Sequence, residues 1–243
     1  MAEERLQNIL AKAGVSSRRG AAALIAAGRA TVDGIAVLEP GARFDPDAVE
    51  IKVDGKTVGR ALAKRTIMLY KPEGVLSTMA DPFGGKTLPD IVPCAAAERL
   101  VPVGRLDRES EGLILMSNDG DLALRLTHPR YGHVKTYVVR AAGRWSEEKL
   151  ATLRSPVEMP DGYTTRPAEV RVIDGPWNNV TTLEFVLKEG RKRQIRRLCS
   201  AAHLVVISLK RVAIGRLRLP PEMKPGEWRD LTEAEIAAAK EGS

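Results

Sequence analysis

The hydrophobic and polar positions of residues 1–60 predict two short helices followed by a small sheet. Residues 4–14 (ERLQNILAKAG) carry an amphipathic pattern that ends at a glycine. Residues 16–28 (SSRRGAAALIAAG) begin with serine capping candidates and end with a glycine in the position that favours a left-handed conformation. The Asp-Gly pairs at 33–34 and 54–55 are typical of hairpin turns. A unit of this size can form only a marginal hydrophobic core, so it is interpreted as an accessory module.

The remainder of the chain predicts a larger domain in which strands outnumber helices. Residues 180–187 (VTTLEFVL) alternate as expected for a strand with one wet face. The pattern predicts strands at 66–70, 113–116, 134–139, 167–173, 180–187 and 204–212, and helices at 121–126, 146–153 and 192–202. Long strands with few intervening helices indicate an α+β fold with a mixed sheet rather than a doubly wound one.

The same pattern predicts four segments. They are an N-terminal module at 1–60, a linker at 61–65, a second domain at 66–232 and a C-terminal tail with a short, fraying helix at 233–243. No run of about 18 apolar residues occurs, which predicts no membrane span. The first residues also lack the pattern of a secretory signal. Only two cysteines occur, Cys94 and Cys199, and their separation suits a reducing cytoplasm.

Positive charge is concentrated near the C-terminal end of the chain. The whole chain carries a formal net charge of +7. Residues 188–218 hold ten Lys or Arg against one acid, Glu189, so the rest of the chain is slightly acidic. Such a concentration favours a polyanionic partner, because each phosphate contact releases counterions, although a solvated charged face would also fit.

The basic helix predicted at 192–202 has two distinct faces. Its apolar face would be formed by Ile195, Leu198, Cys199 and Ala202. The opposite face would carry Arg193, Arg196, Arg197 and Ser200. Three guanidiniums on one face can bind phosphates, or one of them can pair with a buried carboxylate. Asp107 is the candidate carboxylate, since it lies in the charged stretch GRLDRESEGL (104–113) immediately before an apolar run.

Basic residues of the N-terminal module are placed near helix ends. Arg5 is predicted on the first helix. The start of the second helix combines Ser16, Ser17, Arg18 and Arg19, and Arg29 follows its end. A helix N-terminus with hydroxyls and two arginines is suited to bind phosphate. The alternative is a simple serine cap beside solvated arginines.

Several other chemistries are excluded by missing motifs. The three histidines show no metal-ligand spacing, so no metal site is expected. The sequence also lacks the phosphate-binding loop GxxxxGK[ST] and a GxGxxG fingerprint after a strand. No GxSxG motif of a serine hydrolase occurs. These absences leave an enzyme that needs no cofactor or an RNA-binding protein.

Four segments in order resemble the RsuA/RluB branch of the pseudouridine synthases. They are 69–74 (LYKPEG), 104–122 (GRLDRESEGLILMSNDGDL), 126–137 (LTHPRYGHVKTY) and 189–198 (EGRKRQIRRL). Residues 3–50 resemble the alpha-L RNA-binding module that precedes the catalytic domain in this branch. The resemblance implies a small RNA-binding module followed by a catalytic domain with a mixed, mainly antiparallel sheet.

The resemblance also implies a reaction and roles for individual residues. Such enzymes detach uracil from ribose, rotate it and rejoin it through carbon 5, without metal or cofactor. Asp107 would be the nucleophile, Tyr137 would pack on the uracil and assist removal of the carbon 5 proton, and Arg196 would pair with Asp107. Arg105 would fill the gap left by the flipped base, and Leu209 would form an apolar floor. The remaining substrate-binding candidates are Lys71, Pro72, Arg193 and Arg197.

The expected function is therefore an rRNA pseudouridine synthase. Large-subunit rRNA is favoured as its substrate, and small-subunit rRNA and tRNA remain alternatives. The expected protein is a cytoplasmic monomer that binds RNA, either naked or in a pre-ribosomal particle. A non-catalytic RNA-binding or ribosome-assembly factor is the alternative from another class. An RNA methyltransferase would require a glycine-rich donor loop, which is absent.

Overall fold

The computed structural model describes residues 3–241 of the chain. Residues 1 and 2 of the predicted module and residues 242 and 243 of the predicted tail lie outside the described residues. The chain divides into two compact units, one ending at Lys64 and one beginning at Arg65. No helix within the described residues is long and apolar enough to cross a membrane.

The N-terminal unit contains two helices and short antiparallel strands. Its elements are β1 (Glu4–Arg5), α1 (Leu6–Lys12), α2 (Arg18–Ala26), β2 (Ala30–Val32), β3 (Ile35–Ala36), β4 (Arg43–Phe44), β5 (Ile51–Val53) and β6 (Lys56–Thr57). Four of the strands form a sheet in the order β3-β2-β5-β6, and β1 pairs with β4. The hairpins β2-β3 and β5-β6 turn at the two predicted Asp-Gly pairs, whose four residues all have positive φ. Buried residues of both helices and of β2 and β5 form one core.

The ends of the two helices differ in part from the sequence-based expectations. Arg5 lies in β1 and precedes α1, so its prediction as a helix residue was wrong. Ser17 caps α2, because its Oγ accepts a hydrogen bond from the backbone N–H of Gly20 at 3.1 Å. Gly28 follows α2 with φ +70°, a conformation that glycine adopts without steric cost.

The C-terminal unit is built on one large sheet. Its strands are β7 (Thr66–Lys71), β8 (Val101–Val103), β9 (Glu111–Ser117), β10 (Lys135–Ala142), β11 (Glu169–Trp177), β12 (Val180–Leu187), β13 (Val205–Ile214), β14 (Leu217–Arg218) and β15 (Trp228–Asp230). Its α-helices are α3 (Gly120–Thr127), α4 (Glu147–Arg154), α5 (Gln194–Ala201) and α6 (Glu233–Lys240).

The strand order is β11-β12-β10-β13-β9-β7-β15, with β14 paired to β13 and β8 paired to β9. All of these pairs are antiparallel except β9 with β13, which run parallel. The prediction of a mixed, mainly antiparallel sheet is therefore confirmed.

The centre of the sheet is covered on both faces. In β7, Ile67 and Leu69 belong to one core cluster, whereas Met68 and Tyr70 belong to another. Successive strand residues point to opposite faces, so this division places one apolar cluster on each side of the sheet. The first cluster includes Ile195, Leu198, Cys199 and Ala202, which confirms the predicted apolar face of the basic helix.

The helix α6 packs against the second cluster. A capping box between Thr232 and Glu235 begins this helix, and Ala239 near its end is fully buried. The residues predicted as a tail with a fraying helix thus include a helix that contributes to the core. The helix α6 has one buried alanine and two acidic residues in its first turn. This composition is typical of a solvent-exposed segment, which explains the prediction of a fraying tail.

Gly112 is required where β9 meets β13. It has φ +108°, and a Cβ atom there would lie 2.3 Å from the backbone oxygen of Arg211. We expect Gly112→Ala to lower the free energy of unfolding by about 3 kcal/mol, because backbone strain and overpacking add at this position. Urea denaturation followed by circular dichroism measures the change.

The control for this variant is Gly120→Ala, at the first residue of α3, where a Cβ atom would meet nothing within 4 Å. It should raise the free energy of unfolding by up to about 1 kcal/mol. Equal effects of the two substitutions would contradict the requirement for glycine at 112.

Candidate active site

A cleft of about 560 Å³ in the C-terminal unit brings together residues from distant parts of the sequence. Six of the predicted site residues line it: Arg105, Asp107, Tyr137, Arg193, Arg196 and Leu209. They lie on the loop before β9, on β10, on β13 and around the start of α5. A concave site of this size that combines apolar walls with charged groups has the character of a ligand-binding site.

Asp107 is half-buried in the loop between β8 and β9. Buried Ser77 holds the preceding residue, since its Oγ donates to the carbonyl of Leu106 at 2.8 Å and accepts from the Leu106 N–H at 3.1 Å. On the other side of Asp107, the N–H of Gly74 donates to the carbonyl of Arg108 at 2.8 Å. The segment after β7 thus fixes the backbone on both sides of the carboxylate.

Lys71 lies beneath this loop and does not line the cleft. Its side chain is fully buried, and its Nζ donates to the carbonyls of Ser110 at 2.7 Å and Pro72 at 2.9 Å. Burial lowers the pKa of Lys71 to about 8, although the negative charge of Asp107 opposes that shift. Lys71 and Pro72, predicted as substrate-binding residues, are therefore connected to the site through the backbone of the Asp107 loop.

Tyr137 and Leu209 form the apolar side of the cleft. Tyr137 is 8% exposed on β10, and Leu209 is 6% exposed on the adjacent strand β13. Both residues belong to the first core cluster, so their positions are fixed by packing. The arrangement provides an apolar surface on which a planar base can stack.

Arg196 and Arg193 converge on the loop that carries Asp107. The Nη2 of Arg196 donates to the backbone carbonyl of Glu109 at 2.7 Å. The Nη1 of Arg193 lies 2.8 Å from the Glu109 carboxylate, and this hydrogen bond lowers the pKa of the Glu109 carboxyl. Within residues 3–241, no hydrogen bond or ion pair joins Arg196 to Asp107, so their predicted pairing is corrected: Arg196 contacts the backbone two residues further along.

The predicted row of three arginines on one helix face is also divided. The helix α5 begins at Gln194, because Arg193 adopts a left-handed conformation with φ 57° and ends the preceding loop. Arg197 is half-buried and is not part of the cleft lining. Its Nε is buried without a hydrogen-bond partner among the described residues. Arg193 and Arg196 therefore line the cleft, whereas Arg197 does not.

The sequence analysis missed residues that line the cleft or support its walls. The carboxylate of Glu189 accepts hydrogen bonds from the hydroxyl of Tyr163 at 2.8 Å and from the Nε2 of Gln194 at 2.7 Å. Glu189 was visible in the sequence as the single acid within the basic segment 188–218. Ser77, which holds the Asp107 loop, carried no comparable signal.

The basic residues of the N-terminal unit differ in their surroundings. Arg5, Arg18 and Arg19 are exposed. Arg29 is also exposed, but it forms an ion pair with Asp54, whose carboxylate compensates its charge. Ser17 caps α2 as described above, and Ser16, the other predicted contact of this helix end, is half-buried beside it. Exposed guanidiniums at the start of a helix are suited to contact phosphate groups.

No group of three or more His, Cys, Asp or Glu side chains in the described part of the chain is placed to hold a metal ion. The two cysteines are free, with Cys199 buried in the core and Cys94 partly buried. Burial raises the pKa of the Cys199 thiol to about 12, so this thiol is not prepared to act as a nucleophile.

Comparison with known families identifies both units of the chain. Residues 65–201 match the family described as RNA pseudouridylate synthase, and residues 4–49 match the S4 domain. The chain belongs to the RNA pseudouridine synthases, which are isomerases acting on RNA, and carries an RNA-binding S4 domain in front of its catalytic domain. This confirms the family that the four sequence segments predicted.

Relatives over nearly the whole chain agree with this assignment. An uncharacterized RNA pseudouridine synthase of Aquifex aeolicus is 38% identical over 98% of this chain and 94% of its own length. The ribosomal large subunit pseudouridine synthase B of Vibrio vulnificus is 37% identical over 98% of this chain and 75% of its own length. A crystal structure of a pseudouridylate synthase aligns with a TM-score of 0.69 and 26% identity, covering 97% of this chain and 99% of that one.

The buried lysine beneath the Asp107 loop gives a pH-dependent prediction. Because the pKa of Lys71 is lowered in the folded state, the unfolded chain binds more protons between about pH 8 and the ordinary pKa of lysine. The contribution of Lys71 to stability should therefore increase as the pH rises through this range. Relative to Lys71→Met, the free energy of unfolding of the wild type should increase by about 1 kcal/mol between pH 7.5 and pH 9.0.

Urea denaturation of both proteins at the two pH values measures this difference. Subtracting the value of Lys71→Met from that of the wild type at each pH cancels titrations that both proteins share, such as those of Lys135 and Cys199. Lys188→Met, at an exposed position in the loop before α5, controls for the loss of a lysine as such. A difference between wild type and Lys71→Met that does not change with pH would show that Lys71 keeps its full charge in the folded protein.

Proposed function

We propose that this enzyme isomerises a specific uridine of large-subunit rRNA, acting as a cytoplasmic monomer with Asp107 as its nucleophile. The observation that carries the proposal is the convergence of Asp107, Tyr137 and Arg196 on one cleft in a chain of the pseudouridine synthase family. These three residues come from a loop, a strand and a helix that are far apart in sequence.

The proposed chemistry follows from the character of each wall of the cleft. A carboxylate can act as a nucleophile that splits the uridine isomerisation into two easier steps. Because no atom is gained or lost overall, the carboxylate is released again when the new bond to carbon 5 has formed. Asp107 is half-buried, and the backbone around it is fixed by Ser77 and Gly74. A fixed backbone reduces the reorganisation that is needed to position the carboxylate when the substrate arrives.

Tyr137 and Leu209 are proposed to receive the uracil after it leaves the RNA helix. An apolar surface stabilises a flipped base by stacking. Arg196 is proposed to hold the Asp107 loop in position through its hydrogen bond to the Glu109 carbonyl. Its remaining N–H groups are proposed to donate hydrogen bonds to the substrate. Arg105, exposed at the cleft, is proposed to occupy the position that the flipped base vacates.

The choice of large-subunit rRNA rests on the names of the relatives. Relatives from Vibrio vulnificus and Vibrio cholerae, 37% and 38% identical over 98% of this chain, are each named ribosomal large subunit pseudouridine synthase B. The S4 domain is proposed to bind structured RNA by its shape and phosphates, which allows the substrate to be naked rRNA or a pre-ribosomal particle.

Mapping of pseudouridine in rRNA and tRNA from cells with and without this gene tests the proposal. One site in large-subunit rRNA should be lost on deletion and restored by the wild-type gene. Asp107→Asn should fail to restore it, because the amide is not a nucleophile of comparable strength. Asp121→Asn, at an exposed position in the first turn of α3, is the matched control and should restore the site.

Each other outcome contradicts a defined part of the proposal. A lost site in small-subunit rRNA or tRNA would refute the substrate. Restoration by Asp107→Asn would refute the nucleophile. Loss of no site, with a ribosome-assembly defect rescued equally by both forms, would favour a non-catalytic RNA-binding factor.

The role of the S4 domain has its own test. Replacing both Arg18 and Arg19 by alanine should weaken binding to the substrate RNA and reduce the slope of log Kd against log salt concentration by about 0.7–0.9 for each phosphate that is no longer bound. The slope is measured by filter binding at four salt concentrations. An unchanged affinity and slope would show that the two arginines are solvent-exposed without contacting the RNA.

A further inference from the structure

Arg191 lies at the cleft in an unusual position for an exposed arginine. It lines the same cleft as Asp107, and its side chain is 40% exposed. Its guanidinium carbon is 3.4 Å from the centroid of the Tyr163 ring, which places the two groups in direct stacking contact. An arginine stacked in this way keeps its charge and loses much of its conformational freedom.

Tyr163 is itself held in place. It lies in a tight turn closed by the hydrogen bond from the N–H of Met159 to the carbonyl of Tyr163 at 2.8 Å. Its hydroxyl donates to the Glu189 carboxylate at 2.8 Å. The ring therefore presents a fixed face to Arg191.

The backbone of Arg191 is connected to the same carboxylate. Its N–H donates to the Oε1 of Gln194 at 3.1 Å, and the Nε2 of Gln194 donates to Glu189 at 2.7 Å. Glu189 thus positions both the aromatic ring and the backbone of the arginine. Because the network fixes the guanidinium before any ligand binds, little conformational entropy remains to be lost on binding.

The guanidinium of Arg191 is weakly neutralised by the protein. Its ion-pair partner among the described residues is Asp161, at 3.9 Å, and that carboxylate side chain is 63% exposed. Arg193, two residues further along, lies 2.8 Å from Glu109. Arg191 is therefore a positioned cation with N–H groups available to a ligand, whereas the charge of Arg193 is already compensated.

We propose that Arg191, positioned by Tyr163, binds a backbone phosphate of the RNA beside the target uridine. A guanidinium held by its face presents its N–H groups along its edge, which matches the geometry of a phosphodiester. Phosphate contacts fix the register of a nucleic acid, so this contact would set which nucleotide reaches Asp107. The proposal rests on the RNA substrate of the proposed function, but not on which RNA that is.

Binding and turnover of three substitutions test the proposal. The wild type is first assayed on unmodified transcripts of large-subunit rRNA, small-subunit rRNA and tRNA, and the transcript that it modifies is then used throughout. Arg191→Ala should raise Kd roughly fivefold near 0.1 M salt and reduce the salt slope by about 0.7–0.9. Most of the loss in kcat/KM should appear in KM, as expected for binding that is uniform along the reaction.

The substitutions of Tyr163 test whether it acts through Arg191. Tyr163→Leu should raise Kd roughly threefold by releasing the arginine, whereas Tyr163→Phe, which keeps the stacking face but loses the hydrogen bond to Glu189, should raise Kd less than Tyr163→Leu does. In the Arg191→Ala background, Tyr163→Leu should have no further effect. Arg171→Ala, which removes an exposed cation outside both the cleft lining and the basic segment 188–218, is the control and should leave Kd unchanged.

Defined results would overturn the proposal. An unchanged Kd and salt slope for Arg191→Ala would show that no phosphate binds there. Additive effects of Tyr163→Leu and Arg191→Ala would show that the tyrosine does not act through the arginine. If Tyr163→Leu fails to fold, Arg191→Lys takes its place, since it keeps the charge but loses the planar stack and should show a raised Kd. A transcript other than large-subunit rRNA would refute the proposed substrate while leaving this test intact.

Discussion

The short parallel pairing of β9 with β13 is the interaction on which the rest of the catalytic unit depends. It joins a group of strands around β7 to a group around β10, and it spans only two residue pairs, Glu111 with Lys210 and Gly112 with Arg211. The buried side chain of Arg211 strengthens the join by donating its Nε to the Leu113 carbonyl at 2.7 Å. Because the loop that carries Asp107 leads into β9 and Leu209 lies on β13, this pairing brings the carboxylate to the apolar wall.

Charged side chains around the cleft share one structural role. They fix the loops that carry the proposed catalytic residues. Lys71 satisfies two carbonyls beneath the Asp107 loop, and Arg196 satisfies a third carbonyl from above. Glu189 fixes the loop before α5 as an acceptor, because its carboxylate accepts hydrogen bonds from the backbone N–H of Arg166 and from the Nε2 of Gln194. Loops fixed by such bonds hold a site in its working geometry, since a buried carbonyl without a partner would be costly.

The architecture and the main elements could be predicted because their signals are local. Asp-Gly pairs specify hairpins, and a helical period in 195–202 specifies the buried face of α5. The predicted ends and packing of helices were less accurate where they depended on contacts distant in sequence. Arg193 was expected inside the helix but adopts a left-handed conformation, and α6 was expected to fray but packs its Ala239 into the core.

The sequence by itself determined the family, the order of the two units and six of the residues that reach the cleft, because these depend on residue identity and short-range spacing. Only the tertiary structure decided how those residues are partnered. Arg196 contacts the Glu109 carbonyl rather than Asp107, Lys71 lies under the loop, and Arg191 stacks on Tyr163. Partners of long charged side chains are chosen by distances between loops that are far apart in sequence, and no local pattern encodes those distances.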